Sequence, residues 1–391
     1  MSFLLEILIV LLSVKLAGQI SVRLGQPSVL GKLLVGVIVG PAVLGWVHPS
    51  PLLKELAELG VILLMFLAGL ETNIGDVKRN AIAAMLVAVG GVALPFLGGW
   101  SVAQAFGYQG VAAVFTGVLL VATSVSISAQ TLRELGYLQA RAGVTILAAA
   151  VIDDVLGIVV LSLVLGTTGG DAAAAAGHGG GSIGLLLLKM LLFFVIAGLV
   201  GWKVLPPVIR WLKGFQVGAP LLAAGIAVAV GYAYTAEMAG LAGIIGAYLA
   251  GLMLSAADFQ EKLLHDMEKT AFGFFVPFFF VSVGLSAQFG GMTAGYVAFV
   301  VVLSLVAVLT KVFGCGAGAL LTRMPRREAL GIGAGMVARG EVGLIVATIG
   351  LERGLITPEI YTAMVLVSLL TTLVTPPLLK AFFPRKAEVT A

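Results

Sequence analysis

Two adjacent carboxylates, Asp153 and Asp154, interrupt an otherwise apolar run, TILAAAVIDDVLGIVVLSL. Consecutive residues of an α-helix point about 100° apart, so the two cannot form one clamp on a single face. One is placed to meet a neighbouring helix while the other meets a cavity. Bare carboxylates this close repel each other, and a low-dielectric setting favours the neutral form of such a group. A proton or a desolvated cation held by oxygen atoms neutralises the site, but not both at once. The pattern therefore suits competition between a proton and a small monovalent cation. Lys311, in VLSLVAVLTKVFGCGAGALL, is the only lysine at comparable depth and is the expected partner of Asp153. A purely stabilising ion cluster is the bland alternative, and buried ion pairs are poor stabilisers.

Two further segments carry polar groups inside apolar runs, where ionisable residues are costly and default to functional roles. In VFTGVLLVATSVSISAQTL, the residues Thr123, Ser124, Ser126 and Ser128 cluster. Hydroxyls and freed carbonyls there suggest a broken helix, although such hydroxyls also bond back to their own helix. In GIGAGMVARGEVGLIVATIG, the charged residues Arg339 and Glu341 flank Gly340. Two broken helices crossing near the midplane would offer helix ends and free carbonyls to an ion. Arg339 and Glu341 would neutralise those ends or pair with each other.

Other chemistries find little support. The histidines, His48, His178 and His265, all lie near predicted loops, so no Ser–His–Asp arrangement is credible and no enzyme is expected. The single cysteine, Cys315, excludes a disulfide framework and a cysteine-based zinc site. Gly36 and Gly40 read as close helix contacts, not a phosphate loop. No cofactor is expected. The net charge of +4 could suggest nucleic acid, but the basic residues form no patch.

The elements that must position these residues are membrane helices. Of the 391 residues, 60% are hydrophobic and 11% charged, where soluble domains carry roughly 45–50% and about 25%. About 13 stretches approach the length that crosses hydrocarbon: 3–22, 29–46, 54–71, 80–105, 110–132, 140–166, 183–204, 218–237, 240–255, 268–287, 293–321, 327–350 and 358–382. The first lacks a basic leader and reads as a retained span, not a signal peptide. The loop 166–182 is Gly/Ala-rich, and 256–269 is amphipathic, which suits an interfacial helix. Lys and Arg concentrate in alternate loops, among them Lys78, Arg79, Lys203, Arg210, Arg326 and Arg327. That bias makes those loops cytoplasmic and puts the N-terminus outside and the C-terminus inside.

An internal repeat organises the spans. LGKLLVGVIVG (30–40) aligns with IGAYLAGLML (245–254), matching Gly31 to Gly246 and Gly36 to Gly251. The same offset matches Gly69 to Gly284, and one residue more matches Ala122 to Ala338. Spans 1–6 and 8–13, with span 7 as connector, then form inverted-topology repeats, an architecture of secondary transporters. The fold expected is all-α and polytopic, with crossed discontinuous helices in spans 5 and 12.

Five motifs carry a resemblance: GQPSVLGKLLVGVIVGP (25–41), ELGVILLMFLAGLET (58–72), VATSVSISA (121–129), AAVIDDVLG (149–157) and ARGEVGLIVA (338–347). In that order they resemble the monovalent cation:proton antiporter family, most nearly its bacterial NapA-type sodium/proton antiporters. The likeness covers essentially the whole membrane region. It implies an NhaA-like fold and a homodimer. The dimerisation domain would span 1–75 and 205–290, the mobile ion-transport core 76–166 and 291–391, with 167–204 as loop and connector. An elevator-like core movement would alternate access. By the family pattern Asp154 resembles the carboxylate that binds the transported cation and the proton, Asp153 the partner of Lys311, and Thr123 and Ser124 the unwound segment beside it. Arg339 and Glu341 fall where the family keeps a charged crossing. An Asp pair with a lysine resembles the electrogenic branch; electroneutral relatives carry Asn at the first position, and potassium-efflux relatives often a polar amide. No nucleotide-binding segment follows the last helix in this sequence, so nucleotide gating is not expected. The alternatives are potassium/proton exchange on the same fold, a sodium-coupled organic anion symporter, and, least supported, a non-transporting sensor or channel subunit.

Overall fold

The computed structural model describes residues 3–167, 183–213, 218–285 and 293–384, without the side chains of 162, 165–167, 183, 213, 341 and 352. The Gly/Ala-rich loop and His178 lie outside the described residues. Every described regular element is a helix. In chain order these are α1 (Phe3–Arg23), α2 (Ser28–Val39), α3 (Pro51–Leu70), α4 (Ile74–Ala105), α5 (Gly110–Val121), α6 (Val125–Leu135) and α7 (Arg141–Thr167). There follow α8 (Ile183–Lys203), α9 (Leu205–Lys213), α10 (Pro220–Met238), α11 (Gly243–Leu254), α12 (Gln260–Thr270) and α13 (Val276–Leu285). The last are α14 (Ala294–Leu321), α15 (Arg326–Gly335), α16 (Glu341–Glu352) and α17 (Pro358–Phe382).

Among the described residues, nine helical stretches are long and apolar enough to cross a membrane, counting Gly110–Leu135 and Gln260–Leu285 as one each. Ser28–Val39, Gly243–Leu254 and Val342–Leu351 are apolar but shorter. At about 1.5 Å per residue, a 12-residue helix reaches roughly 18 Å, short of the ~30 Å hydrocarbon core. The span expected over 29–46 ends at Val39 because Pro41 disfavours helical geometry at Gly40, which is extended with ψ −178°. The span expected over 240–255 starts at Gly243, after Gly240 at φ +87°. The amphipathic segment 256–269 is not a separate interfacial helix. Its helix α12 runs through a π-turn at Ala271–Phe275 straight into α13, and Leu263 and Met267 are buried.

Two compact units divide the chain. One holds α1, α2, α4 from Asn80, α5–α7, α13 from Phe280, and α14–α17; the other holds α3, α8–α12 and the adjoining segments. Within the first, 72% of the apolar window of α5 and α6 is buried, against 17% for α1. The broken helix is thus central, while α1 turns Leu4, Leu8, Leu12 and Leu16 outward. Lipid tails are as apolar as leucine, so this face costs nothing in a bilayer.

Glycines set the closest approaches. In the first unit a Cβ on Gly36 of α2 would lie 3.0 Å from the Gly284 Cα of α13. In the second a Cβ on Gly69 of α3 would lie 3.0 Å from the Gly251 Cα of α11.

Candidate cation and proton site

The site lies wholly within the first unit. Helix α7 packs against α5, α6 and α15, and α14 packs against α15 and α17. Helices α4 and α14 touch backbone to backbone at Gly90 and Gly314. Beside that contact, a Cβ on Gly91 would stand 2.5 Å from Cys315 Sγ and 3.4 Å from both Asp153 Oδ1 and Lys311 Nζ. A glycine at 91 therefore leaves the room that the Cys315 thiol occupies, with the ion pair at contact distance beside it.

Lys311 Nζ donates to Asp153 Oδ1 at 3.1 Å and to Oδ2 at 3.2 Å. Both residues are sealed from solvent, at 0% and 1% exposure, whereas Asp154 keeps 9%. Helix geometry accounts for the difference. Asp153 looks toward α4 and α14. Asp154 shares a face with Gly157, three residues on, where an added Cβ would meet Val121 of α5 at 3.6 Å. One carboxylate is thus neutralised by a lysine, while the other lies on the face turned to the end of α5.

That end is a break. Ala122, Thr123 and Ser124 leave the helical path between α5 and α6, with Ala122 at ψ 133°. Thr123 Oγ1 donates to Val121 O at 3.3 Å, a long contact. The Ser124 and Ser126 hydroxyls are buried and have no hydrogen-bond partner among the described residues. Ser128 instead donates across to Gly335 O, at the C-terminus of α15, at 2.6 Å. None of these four hydroxyls bonds back in the ordinary manner of a helix interior.

The second break, between α15 and α16, abuts the first. Ser124 N donates to Ala338 O at 2.7 Å. Arg339 is fully buried, and its guanidinium donates to Leu120 O at 2.6 Å, Val337 O at 3.0 Å and Ala307 O at 3.4 Å. It therefore neutralises the negative end of α5. At this break the carbonyls of residues 337–340 each accept a hydrogen bond. Val337 O and Ala338 O are occupied as described, Arg339 O accepts from Ser368 and Thr372, and Gly340 O accepts Leu344 N at 3.4 Å. The Glu341 side chain lies outside the described residues.

Three groups escaped the sequence reading. Ser368 and Thr372 sit at i, i+4 within the apolar run of α17, which a search for ionisable residues passes over. Glu134, at the end of α6, accepts from Ser28 N at 2.7 Å, from the Ser28 hydroxyl and from Lys32 at 3.5 Å, so it caps α2. Its signal was only an acidic residue near a predicted helix end. Gly91 was one glycine among 52.

A sealed lysine–aspartate pair beside a second carboxylate, hydroxyls and helix ends supplies hard oxygen ligands and a proton acceptor in one place. Such donors suit a hard cation. Known proteins of matching sequence agree with that chemistry. Residues 8–383 match the family described as sodium/hydrogen exchanger, transmembrane. The sodium/proton–potassium antiporter GerN of Bacillus cereus is 45% identical over 387 residues, covering 98% of this chain and 97% of that protein. A sodium/proton antiporter of Enterococcus hirae is 37% identical over 382 residues, covering 98% of each. The structure of the sodium proton antiporter MjNhaP1 from Methanocaldococcus jannaschii superposes with a TM-score of 0.60 at 20% identity, covering 95% of this chain and 94% of that one. That likeness bears on the fold, which is the helical fold of NhaP antiporters. The chain belongs to the transmembrane sodium/hydrogen exchanger family.

Proposed function

We propose that the protein is a secondary antiporter that exchanges sodium or lithium for protons, with Asp154 as the carboxylate where cation and proton compete. One observation carries the reading: Asp153 is paired with Lys311, while Asp154, buried but less completely, lies on the face of α7 turned to the α5–α6 break. A proton or a cation neutralises Asp154, and the carrier crosses only when one of them does. The oxygen atoms of Thr123 and Ser124 complete the cation's shell. When Asp154 holds a cation, Lys311 and Asp153 remain paired; when it is protonated, the balance between that pair changes. Exchange with more than one proton per cation, and hence electrogenic transport, is part of the same reading. Arg339 and Glu341 support the crossing.

The mechanical side is equally a proposal. Thirteen spans in two inverted repeats place the crossing at the membrane midplane. The glycine contacts support this, because the repeat offset carries the pair Gly36–Gly284 onto Gly251–Gly69. A dimerisation part (1–75 and 205–290) would anchor two copies, and a core (76–166 and 291–391) would move as an elevator. The packing units group α1 and α2 with the site helices; they report contacts in one conformation, and the proposal concerns what moves. The proposed setting is a bacterial inner membrane, N-terminus outside and C-terminus inside.

Proteoliposomes with an imposed proton gradient test the reading. Sodium and lithium should collapse the gradient. A response to potassium alone would replace this reading with potassium/proton exchange, a reading favoured by the relative GerN, whose name includes potassium. A potential-sensitive dye should report charge movement, and a Lys311→Gln variant should alter the charge moved per cation.

A further inference from the structure

Four buried hydroxyls lie within eight residues of α17, and they behave in two ways. Thr371 Oγ1 donates to Val367 O at 2.8 Å, and Thr375 Oγ1 to Thr371 O at 2.7 Å. This is the ordinary use of a threonine in an apolar helix, bonded back to its own preceding turn. Ser368 Oγ and Thr372 Oγ1 instead leave the helix. Both donate to one acceptor, Arg339 O in the α15–α16 break, each at 2.7 Å. An sp² carbonyl has two lone pairs, and here both are filled. The spacing i, i+4 places the two donors on one face of α17.

The clamped peptide adjoins the candidate site on both sides. Its predecessor, Ala338, accepts the Ser124 backbone N–H at 2.7 Å. At its successor, Gly340, even a Cβ would come within 2.6 Å of Ser124 Oγ. The Arg339 side chain reaches Leu120 O at the end of α5. Fixing the Arg339 carbonyl therefore fixes three things together: Ala338 against Ser124, Gly340 against the Ser124 hydroxyl, and the guanidinium against α5.

We propose that Ser368 and Thr372 are positioning residues of the exchange site, acting through the Arg339 peptide to set the place of Ser124. They touch no transported ion. The inference rests on the reading of the α5–α6 break as the place where the cation is held. Loss of either hydroxyl loosens that break and weakens cation binding relative to proton binding.

The test compares Ser368→Ala and Thr372→Val with Thr371→Val and Thr375→Val, all full-length, reconstituted, and shown by gel filtration to be monodisperse. Sodium dependence of proton flux is the readout. Ser368→Ala and Thr372→Val should each raise the KM for sodium by about fivefold, the factor an ordinary hydrogen bond is worth, with a smaller effect on the maximal rate. Weaker sodium binding lets protons hold the site to higher pH, so the pH of half-maximal exchange at fixed sodium should rise. Ser368→Thr and Thr372→Ser, which keep a donor, should stay near wild type. Thr371→Val and Thr375→Val, equally buried, should leave KM and the pH midpoint in place. Wild-type KM and pH midpoint in both Ser368→Ala and Thr372→Val would overturn the inference, as would equal shifts in the Thr371 and Thr375 variants. A wild-type protein without sodium-driven flux would instead remove the antiport reading, and the inference with it.

Discussion

The two helix breaks differ in what their polar groups do. In the α15–α16 break the carbonyls of residues 337–340 all accept hydrogen bonds, from Arg339, Ser124, Ser368 with Thr372, and Leu344. At the α5–α6 break the hydroxyls of Ser124, and of Ser126 in the first turn of α6, are buried with no partner among the described residues. A buried polar group left unsatisfied costs about 1–3 kcal/mol. In the second break the carbonyls of residues 337–340 escape that cost, although Arg339 Nε is buried with no partner among the described residues, and we read this break as a strut. The first retains it, which makes sense where a ligand supplies the partner during part of the cycle. On the proposed reading, similar interruptions of a helix serve as scaffold and as site, and the fate of their carbonyls and hydroxyls distinguishes them.

Substitutions at the two breaks should separate these roles. Arg339→Ala removes the cation that holds α5 to the strut and strands the carbonyls of Leu120 and Val337. It should cost about 1–3 kcal/mol for each carbonyl left without its donor, visible as a large drop in thermal stability of the detergent-solubilised protein. Arg339→Lys should recover only part, because an ammonium cannot reach the same set of carbonyls as a fork. Gly91→Ala should cost about 1–3 kcal/mol, the range for overpacking, because its methyl meets Cys315 Sγ next to the Asp153–Lys311 pair; exchange should fall with it. Ser128→Ala, which removes a strut bond to Gly335, should cost about 1 kcal/mol and leave the KM for sodium unchanged. Ser124→Ala should do the reverse, with stability at or above wild type, because it removes a buried hydroxyl without a partner, and a raised KM. If Ser124→Ala were the more destabilising and Ser128→Ala the more damaging to KM, the division between strut and site would be wrong.

The sequence made the helical membrane class and the ion pair legible for simple reasons. Charge inside an apolar run is rare, so Asp153, Asp154, Lys311 and Arg339 stand out from composition alone. Helix periodicity then separated the two carboxylates, and the structure places them on different faces. Helix ends were less legible: the span expected over 29–46 depended on how Pro41 acts on Gly40, a local backbone effect that hydropathy does not register. Least legible were contacts that bring distant segments together. Nothing in SLLTT distinguishes Ser368 and Thr372, which reach Arg339, from Thr371, which bonds its own helix. Likewise Glu134 reads as a helix-end acid until α2 is seen to begin beneath it.

The central claim is that exchange runs through Asp154 at the first break, with Asp153 held by Lys311 as its neighbour. Sodium-driven proton flux in proteoliposomes of the Asp154→Asn protein tests it most directly. The account predicts a folded protein with no exchange at any sodium concentration, and no sodium-dependent gain in its unfolding temperature. Flux close to wild type would take Asp154 out of the mechanism and contradict the account.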